Sequence, residues 1–111
     1  MVSNVEKGRR LEKKARERLI SEGYKIFFKS MRMRFGCQDF ANLFDIVAAK
    51  VGVRLYVSVK TFVSASRHAE HIREVEKFID LYGLHGEVYA IWFWKDREWY
   101  VRRWEVLSND N

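Results

Sequence analysis

The chain of 111 residues contains no proline and a single cysteine, Cys37. No proline-rich linker, low-complexity stretch or internal repeat divides it, so one domain over residues 1–111 is expected. A lone cysteine excludes an internal disulfide framework and a multi-cysteine structural zinc site. Long apolar runs are also missing: the longest, Val88 to Trp94, has only seven residues, too few to span a bilayer. The N-terminal stretch is charged from Glu6 onward and carries no apolar signal segment. These absences point to a soluble, cytoplasmic protein without a membrane partner.

What is present is apolar material and positive charge. Hydrophobic residues make up 48% of the chain, enough for a packed two-layer core. The net charge of +6 is unevenly spread: Lys7 to Arg34 holds 11 Lys and Arg against Glu12, Glu17 and Glu22. The remainder is slightly acidic, so the whole excess sits in the first third. A concentrated basic surface suits phosphate contacts, because each neutralised phosphate releases counterions. A solvated lysine- and arginine-rich helix face would give the same count.

Ser3 and Glu6 form a capping-box pattern ahead of a helix through Leu11, Ala15 and Leu19, with Gly23 as its stop. Tyr24 to Ser30 is aromatic and β-branched and reads as a strand. Met31 to Phe40 reads as a connection. Phe44–Ala49 and Arg54–Thr61 read as strands around the turn Lys50-Val51-Gly52. Alternation in the second sends Leu55, Val57 and Val59 one way and Tyr56, Ser58 and Lys60 the other. A helix is expected over about Arg67 to Tyr82, with Ile72, Val75, Ile79 and Tyr82 on one face, ending near Gly83. Val88–Trp94 and Glu98–Glu105 complete a hairpin. The predicted fold is α/β, with order α-β-β-β-α-β-β and helices packed on a mixed sheet.

Two residues stand out chemically. Asp45, on an apolar strand, is costly to bury unless it is paired or binds a cation, and Lys60 poses the same problem one strand on. They could form a core salt bridge, although such pairs contribute little over apolar packing. The other reading is a carboxylate that holds Mg²⁺ or Mn²⁺ and a lysine that orients water or offsets phosphate charge.

Gly8-Arg9-Arg10-Leu11-Glu12, Phe44-Asp45-Ile46-Val47-Ala48 and Val57-Ser58-Val59-Lys60-Thr61, in that order, resemble the PD-(D/E)XK nucleases. Among these, the chain is most similar to the archaeal Holliday junction resolvases. The resemblance implies a restriction-endonuclease-like core and metal-dependent hydrolysis of DNA phosphodiesters, on branched or otherwise structured DNA. It makes Asp45 the central metal ligand, Glu12 a group close to the metal, and Lys60 the lysine that positions water. It also implies a homodimer, since resolvases of this kind cut symmetrically.

The sequence departs from that pattern twice. Phe44 replaces a proline that shapes the strand, which is a mild change. Ser58 stands where the family has a second metal-binding carboxylate, and a hydroxyl is a poor ligand for a hard divalent cation. Some restriction endonucleases of this fold carry serine there and recover the carboxylate from the next helix. Glu74, with thirteen residues between it and Lys60, is spaced similarly, and Glu70 lies one turn earlier. At about 100° per residue both fall away from the Ile72/Val75/Ile79 face, where they would more simply pair with Arg73 and Lys77. The competing explanation is a degraded site that binds nucleic acid without cutting.

Lys7, Arg9, Arg10, Lys29, Arg32 and Arg34 are the candidates for DNA-backbone contacts, which position a duplex without reading sequence. His68 and His71, at the start of the second helix, could contact phosphate or move a proton, or simply pack. His85 reads as turn. Seven aromatic residues between Tyr89 and Trp104 exceed what one buried sheet face holds. Some should be exposed, as a subunit interface or as a platform for unpaired bases.

Overall fold

The computed structural model describes residues 4–29, 31–33, 36–38, 40–41 and 43–106. Its elements are α1 (Asn4–Ser21), β1 (Lys25–Lys29), β2 (Met31–Met33), β3 (Gly36–Gln38), β4 (Ile46–Lys50), β5 (Val53–Thr61), α2 (Ala65–Tyr82), β6 (Glu87–Lys95) and β7 (Glu98–Glu105). Ser3, the expected cap of α1, lies outside the described residues. At its other end α1 stops as expected. Gly23 takes φ +94°, its N–H reaches Ile20 O at 3.0 Å, and Tyr24 N reaches Leu19 O at 3.0 Å. This is a Schellman closure, which needs a residue free to adopt the left-handed region.

The main sheet is mixed, in the order β1-β4-β5-β6-β7. All neighbours are antiparallel except β5 and β6, which run parallel and are connected through α2. The expected connection Met31–Phe40 instead contains a small antiparallel hairpin, β2 with β3. Three-residue strands are too short for a period-2 pattern to register, so this element was not predicted.

Alternation along β5 decides which helix covers which face. Leu55 and Val57 pack with Ala15 and Leu19 of α1, together with Ile46, Ala48, Ala90 and Trp92. Tyr56 packs on the opposite face with Val75 of α2, Phe44, Val47, Tyr89, Ile91 and Phe93. Each apolar side chain fully buried in these layers contributes roughly 1.5–3 kcal/mol. α2 begins at the N-cap Ser64, whose hydroxyl accepts from Arg67 N–H. It buries Val75, half-buries Ile72, Phe78 and Ile79, and leaves Tyr82 exposed, although Tyr82 was expected on the buried face. The aromatic residues of the last hairpin divide between the two faces: Trp92 and Trp99 on the α1 side, Tyr89, Phe93 and Trp104 on the α2 side. The mismatch in the one-face count is resolved mainly by this division, with Tyr100 the exposed member at 49%.

Candidate functional site

Asp45 does not sit within a buried strand. It occupies a bend immediately before β4 and is half-buried. Its backbone N–H donates to Val57 O at 2.9 Å, and its Oδ2 accepts from Val59 N–H at 2.6 Å. The aspartate therefore straddles Ser58, bonded to the residue on either side of it. Phe44, just before it, is completely buried against Tyr56, Phe78 and Tyr89, which anchors the bend.

Ser58 is fully buried on the α2 face of β5. Its Oγ lies 2.8 Å from His71 Nε2. Burial, then the positive charge of Lys60 and the neighbouring His68, push the His71 pKa from 6.5 down to about 4. The ring is neutral at physiological pH, and either partner can then donate the shared hydrogen bond. Thus the second-helix side chain at Ser58 is a histidine. The sequence offers phosphate contact, proton transfer or simple packing for His71, and none of these names Ser58 as its partner. Its helical phase, with Val75 one turn on and Phe78 two turns on, was the signal available in the sequence.

Lys60 is exposed, so the expected cost of a buried lysine does not arise. It lies on the same face as Ser58, two residues on, and its charge is felt by both His68 and His71. His68 is buried. Its Nε2 accepts from Val63 N–H at 3.0 Å, and its ring rests 4.7 Å from Phe93. Burial lowers its pKa, and the Lys60 charge adds to that. His68 is thus a neutral packing residue that satisfies one backbone donor.

Glu12 is half-buried on α1, one turn before Ala15, the residue that inserts into the β4/β5 face. Glu74 is exposed and borders a shallow hollow with Leu43, Lys77 and Phe78; Glu70 is exposed too. Among the described residues, no group of three or more His, Cys, Asp or Glu side chains is arranged to hold a metal ion. Lys7, Arg9 and Arg10 are exposed on the first turns of α1, and Lys29 is exposed at the end of β1. Arg32 lies in β2, and Arg34 falls outside the described residues.

At the opposite end of the sheet the structure reveals a buried network that no sequence motif announced. Tyr56 and Tyr89 stack at 4.9 Å and both donate to the Glu87 carboxylate, Tyr89 at 2.8 Å. Arg54 approaches the same carboxylate at 3.9 Å. Burial raises both phenol pKa values, so both hydroxyls remain donors. The carboxylate is satisfied by these partners, and the group is structural. The chain matches no protein-family model and no curated protein sequence.

Proposed function

We propose that the protein is a metal-dependent deoxyribonuclease of the PD-(D/E)XK type, acting on branched or otherwise structured DNA, with Asp45 and Lys60 at its centre. The observation that carries this reading is the clamp of Asp45 across β5, which sets a carboxylate beside Ser58 and ahead of Lys60. The element order adds support. Apart from the β2–β3 hairpin, it runs α-β-β-β-α-β-β, an order compatible with a restriction-endonuclease-like core.

Mg²⁺ commonly takes one or two protein carboxylates and completes its shell with water and substrate phosphate. Asp45 fits that mode as one carboxylate, and Glu12 is the second by resemblance; Glu74 is the alternative source. When bound, the metal would lower the pKa of a water molecule and offset charge on the phosphate. The rest falls to the chain itself. Val59 N–H holds the Asp45 carboxylate in one orientation. Lys60 would bind a phosphate oxygen from the open end of β5, and Lys7, Arg9, Arg10 and Lys29 would hold the DNA backbone nearby.

One observation favours a second reading, a nucleic-acid-binding module that does not cut. Ser58 supplies no carboxylate, its hydroxyl is engaged by His71, and no three-ligand group is formed among the described residues. Incubation with labelled four-way junction, duplex and single-stranded DNA in Mg²⁺ or Mn²⁺ separates the two. The nuclease reading expects cleavage that falls at least about a hundredfold in Asp45→Ala. Cleavage unaffected by that substitution would remove Asp45 from the centre. Salt-sensitive binding without cleavage in either metal would establish the module instead.

A further inference from the structure

A single helix on one face of a five-stranded sheet cannot cover it. Strands lie about 4.8 Å apart and a helix with its side chains is about 10 Å wide, so roughly two or three strands are covered. α1 rests on β1, β4 and β5. Beside it, over β6 and β7, the same face opens into a cleft of about 1010 Å³. Three of the four tryptophans border this cleft: Trp92, Trp94 and Trp99. Trp99 meets Trp94 at 4.9 Å and 66°, and Trp92 at 5.5 Å and 58°. The first contact is edge-to-face and the second tilted, and Trp94 and Trp99 are each only half-buried, so ring surface remains for a further flat partner.

The rim is cationic. Lys14, Arg18, Arg97 and Arg103 line the cleft against the two carboxylates of Glu22 and Glu98. Glu22 is already neutralised by Arg18 at 3.3 Å and Arg103 is paired with Glu105 at 2.6 Å, which leaves Lys14 and Arg97 against Glu98. Lys14 lies 5.1 Å above the Trp94 ring, and neither it nor Arg97 has an ion-pair partner among the described residues. Arg97 is also held in a costly conformation. The β6–β7 turn is a two-residue loop in which Asp96 and Arg97 both take positive φ, +52° and +63°. Glycine is the favoured residue at the second of these positions. A long cation kept there, at the mouth of an aromatic cleft, points to a use for its charge.

We propose that this cleft binds an unpaired nucleic-acid strand, with bases stacked on Trp94 and Trp99 and phosphates held by Lys14 and Arg97. Stacking on tryptophan is sequence-tolerant, and a cationic rim tracks the backbone. A second copy of this chain fits less well, because two such rims would face each other with the same sign of charge. The site lies on the α1 face, away from the Ser58–His71 pair, and does not depend on whether the Asp45 centre cuts.

The test is quenching of tryptophan fluorescence by oligothymidylate and oligouridylate, with affinity measured across salt concentration. Saturable quenching that weakens with salt is expected. Trp99→Ala should weaken binding at least about fivefold. Arg97→Gly should weaken it as well while raising the melting temperature, which separates lost contact from lost folding. His85→Ala, at an exposed turn outside the cleft lining, should bind as the unmodified chain does. Absence of saturable quenching, or wild-type affinity in both cleft variants, overturns the proposal. So does a loss in His85→Ala equal to that in Trp99→Ala, which would mean that the cleft variants act through something other than contact. Trp99→Ala that abolishes self-association in sedimentation without changing oligonucleotide affinity would assign the cleft to a second copy.

Discussion

The His71 ring is half-buried against Ser58, and burial, followed by the Lys60 charge and coupling to the nearby His68, sets its pKa at about 4 rather than 6.5. An unfolded chain protonates this histidine near 6.5, whereas the folded chain resists until about 4. The stability it contributes is therefore complete above pH 6.5 and is lost as pH falls towards 4. Urea unfolding at about pH 7.5 and pH 5 should show the unmodified protein losing about 1–2 kcal/mol more than His71→Gln, allowing for partial exposure of the ring. Parallel losses in the two proteins would mean that the folded ring titrates normally. The same neighbourhood shows how far single residues can be read from sequence. Asp45 stands out because a carboxylate among apolar neighbours demands a reason. The burial of Lys60 was misjudged because alternation gives the face of a side chain, not its depth, and Lys60 lies near the open end of β5. The Ser58–His71 bond required the position of a helix in space, which no local pattern carries.

At the scale of elements, Gly83 ends α2 without using the freedom for which glycine is usually chosen. Its φ is −63°, an ordinary value. A Cβ there would lie 2.6 Å from Ile79 O and 2.9 Å from a Val106 methyl, so the requirement is space. Gly83→Ala should therefore cost roughly 1–3 kcal/mol. Gly23→Ala, which meets no atom within 4 Å but keeps φ +94°, should cost about 1–2 kcal/mol from conformation alone. Melting curves of a series of larger side chains distinguish the two mechanisms: the loss should grow with size at Gly83 and stay flat at Gly23. Glu98–Glu105 was legible as a strand because aromatic residues and alternation agree there. β2 and β3 were not legible, because at three residues each their pairing rests on backbone contacts rather than on a side-chain pattern.

The molecule as a whole is divided by its sheet, and the division organises its chemistry. α2, Ser58, His71 and Lys60 occupy one face, while α1 and the tryptophan cleft occupy the other. The excess positive charge of the first third was legible in the sequence, whereas its meeting with the C-terminal tryptophans was not. That meeting depends on which strands α1 leaves uncovered. The parallel pairing of β5 with β6 has a further consequence, for how the chain folds. β4–β5 and β6–β7 each close over a two-residue turn, whereas β5 and β6 must wait for the chain to cross through α2. Loop closure makes that long-range pairing the slow event. In a refolding experiment pulsed with deuterium, amides of the two hairpins should gain protection before those bonded across the β5–β6 seam. Simultaneous protection would instead indicate one nucleus that spans the seam from the start.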